Sequence, residues 1–105
     1  MIVQKEIQDK LTQFFQPEFL SVENESHHHS VPAHSETHFK VVIVSNKFEG
    51  KRLIMRHRLV NELLAEQLAG PVHALAIHTY TPEQWKQKHK VSPDSAACLG
   101  GGVQR

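Results

Sequence analysis

The chain has 105 residues, 39% of them hydrophobic, which suits one compact domain with a modest core and leaves too little for a second. Twelve lysines and arginines against eleven acids give a net charge of +1, so a nucleic-acid role has to rest on local clustering. The single cysteine excludes an intramolecular disulfide, and no apolar run approaches the roughly 20 residues of a bilayer span.

The opening "MIVQKEIQDK" alternates charged and apolar residues instead of building the hydrophobic core of a signal peptide, so a reducing cytoplasm is expected. From Ile2 to Phe15, the residues Ile2, Ile7, Leu11, Phe14 and Phe15 fall near one side of a helical period, predicting an amphipathic helix that ends before Pro17. "FLSVENE" follows as a strand with Leu20, Val22 and Asn24 on one face. "ESHHHSVPAHSETHFK" then reads as a loop through Pro32, and "HFKVVIVS" as a central strand. "NKFEGK" has the Asn and Gly of a turn.

Leu59, Val60, Leu63, Leu64 and Leu68 recur at helical spacing until Gly70 and Pro71 stop the helix. "VHALAIHTY" is a third strand, with His73, Leu75, Ile77 and Thr79 sharing a face. Thr81, Pro82 and Gln84 form the start of a last helix, with the spacing of a capping box, and Trp85 is expected to anchor that helix to the core. The predicted organisation is a domain over residues 1–90 and a flexible tail over 91–105. Its fold class is α+β: a helix-strand-strand-helix-strand-helix sandwich with a three-stranded mixed sheet and helices on one face.

Five of the nine histidines, His27, His28, His29, His34 and His38, fall between Glu25 and Lys40. Neutral imidazoles ligate zinc, copper, nickel and iron, and a loop can bring one of them to His73 on the third strand. A metal site, a pH sensor and a plain polar loop are all compatible with the segment. The simplest assignment leaves His27 and His28 solvated and His38 satisfied within its strand, since no CxxC, HExxH or CxH pattern is present.

The second cluster is Lys51, Arg52, Arg56, His57 and Arg58 at the start of the middle helix, placed to meet phosphates or to enter a major groove. A solvated helix face is the competing reading. No catalytic residues are expected: GxSxG and GxxxxGK[ST] motifs are absent, and Cys98 stands in a glycine-rich tail without a rigid oxyanion site.

The segments "ESHHHSVPAHSETHFKVVIVSNKFEG", "RHRLVNELLAEQL" and "GPVHALAIHTYTPEQW" strongly resemble the BolA family, in the subgroup around its bacterial members. The resemblance runs from the first helix to Trp85 and implies a fold similar to a class II KH domain. It also implies two non-enzymatic roles: DNA-binding transcriptional regulation linked to stress, morphology and biofilm, and partnership with a monothiol glutaredoxin through a shared [2Fe-2S] cluster. The cluster ligand of the family's "VHAL" motif falls on His73 and the loop ligand on His29, with His28 or His34 as substitutes.

Two histidines satisfy half of the four terminal positions of such a cluster, and a partner cysteine with glutathione would supply the others. No cofactor is expected in the isolated protein, which would be a monomer or weak homodimer. The KH mode of gripping single strands is not expected, because "NKFEGK" has only Gly50 where a GXXG loop belongs. Two alternatives are an iron-sulfur trafficking or iron-sensing adaptor without a DNA role, and a histidine-loop metal binder acting alone.

Overall fold

A computed structural model describes residues 2–26 and 35–90. His27, His28, His29 and His34 lie outside the described residues, as does the expected tail with Cys98. The chain runs through α1 (Ile2–Phe15), β1 (Phe19–Asn24), β2 (His38–Val44), α2 (Leu53–Leu63), α3 (Ala65–Ala69), β3 (Ala74–Tyr80) and α4 (Pro82–Lys90).

β2 is the central strand, antiparallel to β1 and parallel to β3. Register aligns Val22 with Val41 and Val41 with Ile77, so one face of all three strands turns Leu20, Val22, Phe39, Val41, Ile43, Leu75 and Ile77 toward the core. Onto that face α1 packs Ile7, Leu11 and Phe15, while α2 and its continuation add Val60 and Leu64. The inward stripe of α1 is Val3, Ile7, Leu11 and Phe15 at four-residue intervals. Ile2, at 75% exposure, and Phe14, at 45%, stand outside it, contrary to the helical grouping drawn from sequence.

The ends of α1 are fixed by groups distant in sequence. Glu36 Oε2 accepts from the Gln4 backbone N–H (3.0 Å), placing a carboxylate at the positive end of the helix dipole. At the other end Gln16 adopts φ 45°, a left-handed closing residue, and Gln16 N–H bonds back to Thr12. Buried Ser45 donates to the Phe15 carbonyl (2.7 Å), tying this end to β2.

The expected turn at "NKFEGK" is built on a short 3-10 segment, Asn46–Phe48, capped by Ser45 and closed by Gly50 at φ 75°. It carries a core residue: Phe48 is fully buried, its ring 4.9 Å from that of Phe15. The single helix expected up to Gly70 is divided at Leu64, whose φ −100° and ψ 21° leave helical values. Backbone bonds from Leu64 to Val60 and from Leu68 to Leu64 continue across the bend.

The capping box at α4 forms as its spacing predicts: Gln84 N–H donates to Thr81 Oγ1 (3.1 Å) and Thr81 N–H to Gln84 Oε1 (3.0 Å). Trp85 does anchor α4, but not to the main core. It stacks on Phe19 (5.1 Å) and leans on Tyr80 (5.1 Å), both on the sheet face turned away from α1 and α2. The helices therefore do not all share one face.

Candidate metal centre and nucleic-acid interface

The histidine-rich segment leaves β1 and returns to β2 through a clamp of hydrogen bonds. Ser26, 3% exposed, accepts on its Oγ from the backbone N–H of Thr37 (2.9 Å) and of His38 (3.1 Å). Asn24 holds both sides, accepting from Ser26 N–H (3.0 Å) and donating from Nδ2 to the Ser35 carbonyl (2.9 Å). The first of these is an Asx turn, for which "NES" is a local signal. The second depends on where the chain returns.

The same clamp reaches β3. The Thr37 carbonyl accepts from the backbone N–H of both His73 (2.8 Å) and Ala74 (3.2 Å). His73, just ahead of β3, is thus held at the root of the loop with its side chain exposed. Its ring stands edge-on to His38, with 6.2 Å between centroids, and His38 Nδ1 shares a hydrogen bond with Thr37 Oγ1 (2.8 Å). Among the described residues no three His, Cys, Asp or Glu side chains come together for a metal ion. His73 fits a group whose other ligands come from elsewhere: it is accessible, and the two ends of the segment bearing His28, His29 and His34 are fixed beside it.

The basic cluster at α2 separates into two kinds of residue. Lys51, Arg52 and Arg58 are exposed, and His57 is half-buried. No side chain caps the start of α2 at Arg52, so its first backbone N–H groups add to the local positive field. Exposed Leu53, Ile54 and Met55 lie between the cations, and a shallow depression of about 420 Å³ is lined by Ile54, His57, Arg58, Asn61 and Glu62.

Arg56 corrects the sequence reading. It is only 5% exposed, donating from Nε to the Lys51 carbonyl (2.8 Å) and from Nη1 to Gln84 Oε1 (2.7 Å) and, at 3.4 Å, to the Thr79 carbonyl. Its guanidinium also lies 5.7 Å from the centre of the Phe48 ring. Burial lowers its pKa from the ordinary value, partly opposed by the Glu49 charge, yet guanidinium remains a cation at neutral pH. These bonds commit the group internally and remove it from a phosphate-binding surface. The spacing of Arg56, Val60 and Leu64, each four residues apart, is the local sign that this arginine faces inward.

Comparison with known proteins matches residues 11–84 to the family model described as BolA-like protein. The DNA-binding transcriptional regulator BolA of Vibrio cholerae is 56% identical over 100 residues, covering 95% of this chain and 94% of that protein. The regulator of the same name from Escherichia coli is 48% identical over 97% of both chains. The solution structure of BolA1 from Mus musculus superposes with a TM-score of 0.75 at 53% identity, covering 93% of this chain and 79% of that one. The chain is a member of the BolA family, within its bacterial subgroup.

Proposed function

We propose that the protein is a cytoplasmic, non-enzymatic DNA-binding transcriptional regulator, active in stress response, morphology and biofilm control, that also shares a [2Fe-2S] cluster with a monothiol glutaredoxin. The observation that carries the first part is near-full-length similarity to two bacterial proteins named as DNA-binding regulators. Lys51, Arg52 and Arg58, exposed at the uncapped start of α2, would meet the phosphates of duplex DNA, with His57 beside them.

Anisotropy titrations of duplex fragments at several salt concentrations test this surface. Replacing Arg52 and Arg58 together by Ala is expected to weaken binding to all sequences and reduce the log–log salt slope by about 1 for each phosphate no longer neutralised. Unchanged affinity and slope would remove α2 from the interface.

For the second part, His73 offers the fixed ligand and His29 the loop ligand, with His28 and His34 as substitutes. The bound group would supply one-electron redox chemistry, and two neutral imidazoles would raise its potential over all-thiolate ligation. The chain itself exposes the His73 ring and holds both ends of the loop beside it. Reconstitution with the partner, glutathione and iron-sulfur precursors should give visible absorption and circular dichroism spectra that His73→Ala alters. An identical spectrum from that variant rules out the assignment.

A trafficking or iron-sensing adaptor without a DNA role is the second reading, favoured by the exposure of His73. It predicts the same spectra with no DNA affinity in either the free or cluster-bound form.

A further inference from the structure

A second group of cations lies on the sheet face turned away from the core. Alternation places Ser21 and Glu23 of β1, His38, Lys40 and Val42 of β2, and Ala74, Ala76 and His78 of β3 on this face. Val42 pairs with His78 and Lys40 with Ala76, making Lys40 and His78 diagonal neighbours across two strands. From α4, Lys88 Nζ reaches 5.7 Å from the centre of the Tyr80 ring, on the same face. Ala74, Ala76 and His78 are exposed, so the floor beside these cations is open.

Cations outnumber acids around His78. Burial and then the charges of Lys40, His57 and Lys88 lower the His78 pKa from its ordinary value, with Glu25 acting in the opposite sense. Glu23 stands opposite Lys40 in the strand register, and His89 lies against Trp85 on α4. Among the described residues neither Lys40 nor Lys88 forms an ion pair with an acid. At one end of the patch, Phe19, 43% exposed, is stacked on Trp85.

We propose that this open sheet face binds a single-stranded nucleic-acid segment, with Lys40, His78 and Lys88 on its phosphates and Phe19 against a base. Charge complementarity selects a phosphodiester chain, and the neighbouring aromatic rings suit a base better than a simple anion. Three strands spaced about 4.8 Å apart make a floor roughly 10 Å wide, which admits one strand. A bound phosphate would offset the cations around His78 and favour its protonated form, so affinity rises as pH falls. The proposal uses neither Lys51, Arg52 and Arg58 of α2 nor the proposed cluster ligands, and stands or falls apart from them.

Trp85 is the chain's single tryptophan, so its fluorescence reports on this face directly. Titration of the full chain with a short oligothymidylate should change that emission, with a log–log salt slope near −2 for about three neutralised phosphates. Affinity should increase between pH 8 and pH 6, by no more than about tenfold per pH unit for one linked proton.

Lys40→Ala combined with Lys88→Ala, checked for folding by circular dichroism, should lose at least tenfold in affinity. His78→Gln should retain binding at pH 8 and lose the pH dependence. The proposal is overturned by full affinity in the double lysine variant, by pH dependence persisting in His78→Gln, or by inorganic pyrophosphate binding as tightly as the oligonucleotide. An equal Trp85 response to a duplex of matched length, measured with Arg52 and Arg58 both replaced by Ala, overturns it as well.

Discussion

The two ends of β3 use polar side chains in opposite ways. At the C-terminal end Arg56, Thr81 and Gln84 bond to one another and to backbone carbonyls, joining α2, β3 and α4. At the N-terminal end the backbone of His73 is held by Thr37 while its imidazole is exposed. The chemistry of both groups suits external ligands, but only one is available to them. A cation that already has three acceptors contributes to stability, whereas a histidine fixed through its main chain keeps its ring for binding.

That contrast is tested most strongly at Arg56. Arg56→Ala removes donors from Gln84 Oε1 and the Lys51 and Thr79 carbonyls and vacates space beside Phe48, with an expected cost of about 2–4 kcal/mol in urea denaturation. A change below about 0.5 kcal/mol would show that its internal bonds are dispensable.

Next in size is Ser26→Ala, which leaves two backbone donors at the loop root without their acceptor and should cost about 1–3 kcal/mol. Because the clamp also holds the two ends of the loop near His73, this variant is expected to weaken retention of the proposed cluster. Full stability together with full retention would mean that the clamp does not organise the site. At the open end, His73→Ala should stay within about 0.5 kcal/mol of wild-type stability while altering cluster spectra. A large drop in stability there would erase the distinction between the two ends.

The smallest effect concerns pH. The folded-state pKa of His78 is lowered, so the unfolded chain takes up this proton first as pH falls. The stability contribution is present above the ordinary histidine value of about 6.5 and declines as pH drops through the interval between that value and the lower folded one. His78→Gln should flatten this part of a pH–melting curve slightly, the effect being limited by solvent exposure. A variant more sensitive to acid than the wild type contradicts the direction.

Local pattern was sufficient wherever one segment contains its own reasons. The alternation in β1 and β3, the β-branched run of β2, the capping box at Thr81 and Gln84, and the stripe through Ile7, Leu11 and Phe15 are all short-range signals. The residues that resemble the BolA family were legible for the same reason, being ordered motifs within the chain. A charge cluster was less informative, because composition does not say which side of α2 each cation occupies. Arg52 and Arg58 are exposed while Arg56, between them, is buried.

Sequence by itself therefore determined the strands, the first and last helices and the family, though not the break at Leu64, since periodicity, turn chemistry and motif spacing act over a few residues. Tertiary structure alone decided which acceptors hold Arg56, that Trp85 braces the face away from the main core, and that Ser26, Thr37 and His73 meet at one point. Those outcomes depend on bonds closed across 28 residues from Arg56 to Gln84 and across the parallel pairing of β2 with β3. The partners that satisfy a buried or clamped polar group are chosen by packing, and no local pattern encodes them.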